Sequence, residues 1–115
     1  MKPKAYWMTE YETEIKHAIL ARGKGNEGMA RVCARRATGI VIGEYLQRRG
    51  YEKLSTSTYD RLSIFNSLPD VNEGIKSICQ HFILKVNGEH KLPSGIDLIS
   101  EAQWLAKNLL LDNTN

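Results

Sequence analysis

The chain has 115 residues, 42% of them apolar and 25% charged, with a net charge of +3. That is the size and balance of one compact domain, and it excludes a disordered tail, a disulfide scaffold and a membrane span. The charge alone is too weakly basic to imply nucleic acid. Met1 to Met8 carries Lys2 and Lys4 with no apolar run behind them, so no signal peptide is expected. The longest apolar runs, such as Ile40–Ile42 and Leu109–Leu111, fall far short of the about eighteen residues that cross a bilayer. The expectation is one cytoplasmic helical domain over residues 1–115, with 1–8 and 112–115 frayed.

Apolar spacing is helical along nearly the whole chain. Thr9-Glu10-Tyr11-Glu12 reads as a capping box, and Tyr11, Ile15, Ala18 and Ile19 then recur at three and four to about Arg22. Gly23-Lys24-Gly25-Asn26 breaks the pattern. A second helix is predicted from about Glu27 to Arg49, stopped by Gly50. Ala30, Cys33, Ala34, Ala37, Ile40, Val41 and Glu44 fall on one of its faces. Gly39 and Gly43 each cost about 1 kcal/mol in a helix relative to alanine, and close packing is the expected offset. This helix should therefore be the centre of the fold.

Ser57 or Thr58 caps a short third helix carrying Leu62, Phe65 and Leu68 and ended by Pro69. Val71 to Val86 gives a fourth, closed by Asn87-Gly88. After Pro93, Ser94-Gly95-Ile96-Asp97 offers a cap for the last helix, with its stripe at Ile99, Ala102, Leu105, Ala106 and Leu109. No segment alternates as a strand does, and no internal repeat is present. The predicted fold is all-α, an antiparallel bundle of four to five helices.

Candidate chemistry is sparse. Residues 22–53 hold eight basic residues against Glu27, Glu44 and Glu52, a local +5, while the start is neutral and the remainder −2. Arg31, Arg35 and Arg49, with Thr38, share the side of the second helix opposite its alanines. Such a row of guanidinium forks could clasp phosphate or carboxylate groups, and the solvated face of any amphipathic helix gives the same pattern. Interleaved aromatics for base stacking are lacking. Glu44 lies on the small-residue face; Arg48 at i+4 offers an ion pair, and a buried acid with a raised pKa is the sharper alternative. Gly23-x-Gly25-x-x-Gly28 matches a phosphate-loop spelling but follows a helix instead of a strand. A joint is expected there, or an anion held at the start of the second helix. Cys33 and Cys79 read as buried, reduced thiols. His17, His81 and His90 have no metal-ligand spacing, so no metal or cofactor is expected.

The stretch Ala34-Arg35-Arg36-Ala37-Thr38-Gly39-Ile40 through Glu44-Tyr45-Leu46 to Gly50 leads into Ser57-Thr58-Tyr59-Asp60-Arg61-Leu62, and the chain closes on Ser100-Glu101-Ala102-Gln103-Trp104-Leu105. These phrases resemble the higher eukaryotes and prokaryotes nucleotide-binding (HEPN) superfamily over about residues 11 to 110. The resemblance implies an all-α bundle, often dimeric, among whose members are RNA-cleaving toxins and non-catalytic partners of nucleotidyltransferases. Nuclease members carry an Arg followed four to six residues later by a His. No Arg stands so here; Lys85 before His90 and Lys76 before His81 come nearest, and lysine lacks the planar fork. The reading is a non-catalytic binding or regulatory module, homodimeric, with Ile42 and Leu46 on the second helix's outer side contributing to the dimer. The alternatives are a metal-independent ribonuclease using His90 and Lys85, and a nucleotide- or RNA-binding protein using Arg31, Arg35 and Arg49.

Overall fold

The computed structural model describes residues 5–83 and 95–111. They form five helices: α1 (Tyr6–Gly23), α2 (Glu27–Arg48), α3 (Thr58–Asn66), α4 (Glu73–His81) and α5 (Leu98–Ala106), the last continuing into a π-helical turn at Lys107–Leu111. No strand occurs among the described residues, and the all-α bundle is as the sequence predicts.

α1 and α2 form a hairpin. At its turn Gly25 adopts φ +79°, and Asn26 N–H donates to the Ala21 carbonyl while Gly25 N–H donates to that of Arg22. This is the paired bonding of a Schellman stop, which a residue with a Cβ enters at a cost. Asn26 then caps α2 by accepting from Met29 N–H. The same device ends α2: Gly50 has φ +93°, and Tyr51 N–H reaches the Leu46 carbonyl. The Gly23–Gly28 stretch is thus a helix joint, and the α2 N-terminus already carries Glu27 in its first turn.

Three boundaries differ from the sequence reading. α1 begins at Tyr6, and Thr9 lies inside it, its carbonyl accepting from the Thr13 hydroxyl. The capping box is not used because Trp7, 7% exposed, extends the buried stripe of Tyr11, Ile15 and Ala18 one turn backwards. α4 starts after Asn72, which accepts from Gly74 N–H, while Val71 is buried ahead of the cap. That helix also stops at His81, five residues short of the predicted Val86: Phe82 and Ile83 N–H close it with turns onto the Cys79 and Gln80 carbonyls.

α2 is the centre of the fold, with α1, α3 and α5 packed on it. This overturns two expectations about its outer side. Ile42 and Leu46 are fully buried, so they cannot form a dimer face, and Thr38 is 0% exposed and so is not on a solvated arginine face. α3 covers that side. Gly39 and Gly43 permit its approach: a Cβ on Gly39 would stand 2.3 Å from Thr58 Oγ1, and one on Gly43 would stand 2.3 Å from Arg61 Nη1. Ser57 caps α3 through Asp60 N–H, and Leu62 and Phe65 project into the core, where Phe65 meets Tyr45 edge-on at 5.4 Å. α5 buries Leu98, Ile99, Ala102, Leu105 and Ala106, and the π-helical turn brings both Leu109 and Leu110 inside.

Candidate functional site

The three predicted binding arginines do not meet. Arg31 and Arg35 are one turn apart on α2, and Arg49 lies roughly 21 Å further along at 1.5 Å per residue. Arg35 is half-buried, its Nε donating to the Phe82 carbonyl at 3.2 Å. Burial, and then the neighbouring Arg31 charge, lower its pKa. Arg49 donates through Nη1 to the Tyr45 hydroxyl at 2.8 Å and through Nη2 to Asp70 at 2.5 Å, with its guanidinium over the Tyr45 ring. Both are thus engaged in joining α2 to the chain around α3 and α4. Lys85 and His90 lie outside the described residues.

A stronger arginine cluster, not apparent in the sequence, stands at Arg22. Its Nε and Nη2 form a fork with Glu27 at 3.0 and 2.7 Å, and its Nη1 reaches Asp97 at 2.9 Å. One side chain thereby ties the end of α1 to the starts of α2 and α5. Asp97 also caps α5, accepting from Ile99 and Ser100 N–H. Burial works to raise the Asp97 pKa, but its bonds to Arg22 and Ser100 outweigh it and hold it low. The Arg22 fork lowers Glu27. Carboxylates depressed in the folded state stabilise it above their unfolded pKa of about 4, and that contribution is lost as pH falls through the folded values. The urea midpoint is therefore expected to drop below about pH 4. Arg22→Gln is expected to flatten this part of the profile; an unchanged acid slope would show the cluster to be uncoupled from folding.

The Glu44–Arg48 ion pair is formed at 2.9 Å, and Arg48 lies over the Trp7 ring at 5.9 Å. His81 Nδ1 stands 2.8 and 3.0 Å from the two Glu101 oxygens, linking α4 to α5. A carboxylate that orients an imidazole is also a feature of catalytic bases, but His81 lines none of the surface grooves described below. It is a helix-to-helix link.

Both cysteines are buried and unpaired. Burial pushes the Cys79 thiol up to about 12, and burial with the nearby Glu14 carboxylate raises Cys33. Since the thiolate is the reactive form, neither thiol is expected to react with a disulfide reagent at pH 8 until the protein is denatured, when both should. Rapid labelling of native protein would contradict this burial. Among the described residues no group of three or more His, Cys, Asp or Glu could hold a metal ion.

The described residues form several open surface grooves. One, about 390 Å³, runs along α1 past Tyr11, Ile15, Ile19 and Leu20, edged by Glu12 and Lys16. A second, about 450 Å³, adjoins it at Leu20 and continues to Met29 on α2. Ile19, Leu20 and Met29 are 52%, 51% and 45% exposed. A third, about 470 Å³, opens between the start of α1, the last turns of α2, and Arg61 of α3. No helix among the described residues is long and apolar enough to cross a membrane.

Neither a protein-family model, nor a curated protein, nor a solved structure matches the chain.

Proposed function

We propose that this chain is a small cytoplasmic, HEPN-like helical module that binds instead of cleaving, and that it acts as a homodimer docked through the outer side of α1. The observation that carries the reading is the connected apolar surface of Ile19, Leu20 and Met29 beside a groove edged by both a carboxylate and an ammonium, Glu12 and Lys16. An apolar stripe bordered by both signs of charge suits a two-fold interface, in which each copy presents the same patch to the other. The remaining surface is then open to a protein partner such as a nucleotidyltransferase, the association that the resemblance implies. The non-catalytic part of the reading is supported by Arg35, Arg49 and Arg22 being spent on bonds within the fold.

Light scattering of the intact protein at tens of micromolar is expected to give twice the 13.0 kDa chain mass. A mass of 13.0 kDa at every concentration would overturn the dimer. Total RNA incubated with the protein is expected to remain intact; cleavage abolished by His90→Ala would establish the nuclease reading in its place.

A further inference from the structure

The groove between α1, α2 and α3 holds an arginine of unusual status. Arg61 lies flat on the α2 backbone at Gly43, where an added Cβ would stand 2.3 Å from Nη1, 2.7 Å from Cζ and 3.2 Å from Nε. Its Nε donates to the Ser55 carbonyl at 2.7 Å and its Nη1 to the Gly39 carbonyl at 2.9 Å. Two carbonyls fix the fork, yet no carboxylate among the described residues neutralises it, unlike Arg22, Arg48 and Arg49. A guanidinium held in a concave site with no carboxylate of the described residues bonded to it is arranged to receive an anion, with its orientation already set.

The rest of the lining has the other sign. Glu10 lines the same groove with no ion pair among the described residues, and Glu44 lines it while paired with Arg48. The 78% exposed Tyr6 supplies most of the aromatic surface, with the largely buried Trp7 also in the lining. Two carboxylates lining the same groove disfavour a dianion such as phosphate, because like charges would share the site. A ligand with one anionic and one cationic end answers both signs, and an apolar body would cover the aromatics. The volume of about 470 Å³ lies within the range of small-molecule sites.

We propose that this groove binds a small zwitterion with an apolar side chain, of the α-amino acid class: the carboxylate on Arg61, the ammonium at Glu10, and the side chain against Tyr6 and Trp7. The proposal depends on neither the dimer nor the absence of nuclease activity, since the groove lies away from the Ile19–Leu20 surface.

The test is an amide-shift titration of the intact, isotope-labelled protein with L-phenylalanine, 3-phenylpropionate, phenethylamine and inorganic phosphate, each to about 20 mM. L-Phenylalanine is expected to shift resonances at Glu10, Gly43, Glu44 and Arg61. The two half-molecules, which lack the ammonium or the carboxylate, are expected to bind at least about tenfold more weakly. Arg61→Gln removes two internal hydrogen bonds and so risks the fold. Glu10→Gln alters an exposed side chain with no ion pair among the described residues, and is expected to weaken L-phenylalanine about fivefold with an unchanged circular dichroism spectrum. No shifts at these residues, equal binding of 3-phenylpropionate, or tighter binding of phosphate would each overturn the proposal.

Discussion

Phe65→Ala is expected to destabilise the protein by about 3–5 kcal/mol, read as a fall in the urea midpoint at constant slope. Phe65 is fully buried and is the largest such side chain, and it is the main anchor of α3 on α2. Truncation forfeits its transfer free energy, its edge-on contact with Tyr45 and the packing of the space it leaves. A domain of this size is stable by only about 5–15 kcal/mol, so the variant should stand near the edge of folding. A loss below about 1 kcal/mol would mean that α3 is not seated on α2 as described.

Gly39→Leu is the second large effect, expected to cost about 3 kcal/mol. The smaller Gly39→Ala isolates the reason. A methyl there would meet Thr58 Oγ1 at 2.3 Å and Thr58 Cβ at 3.2 Å, so the start of α3 must shift, and the bond from the Thr58 hydroxyl to the Arg35 carbonyl is lost. Against that stands a helix-propensity gain of about 1 kcal/mol for alanine over glycine. The net for Gly39→Ala is a loss of about 1 kcal/mol, and combination with Thr58→Ala should remove it, because most of the obstruction goes. Additive losses in the double variant would contradict this contact. Gly43→Ala is the companion case. Its obstruction is the Arg61 guanidinium, which withdraws only by giving up its bonds to the Ser55 and Gly39 carbonyls, so a loss of similar size is expected.

The local devices of this fold are legible in the sequence because each needs only neighbouring residues. Gly50 stops α2, Ser57 and Asp97 cap α3 and α5, and Glu44 pairs with Arg48, as spacing suggests. What escaped was set by distant chain. A helical wheel with one core-facing side cannot represent α2, which has neighbours on several sides and so buries Thr38, Ile42 and Leu46 as well as its alanines. The two glycines did signal close approach, but not that Thr58 and Arg61 make it. Thr9 to Glu12 has the spelling of a capping box, yet burying Trp7 favours one more helical turn over stopping there.

The candidate sites were less legible still. The arginine row seemed continuous on the wheel, but Phe82 and Asp70, reached from other elements, take up Arg35 and Arg49. Arg22 and Asp97 are 75 residues apart and His81 and Glu101 are 20 apart, and no spacing rule joins either pair. Nothing in the sequence singles out Arg61. Its meaning depends on the two carbonyls that hold it and on the absence of a carboxylate partner among the described residues.

The central claim is that two copies dock through the outer side of α1, and Ile19→Glu tests it most directly. Ile19 is half exposed, so a carboxylate there leaves the core intact while placing a charge in the apolar contact. In sedimentation equilibrium the wild type is expected to have twice the 13.0 kDa chain mass and Ile19→Glu the mass of one chain, with unchanged helical circular dichroism. A wild-type dimer that Ile19→Glu leaves intact would contradict the assignment of the interface, and a wild-type monomer would contradict the dimer itself.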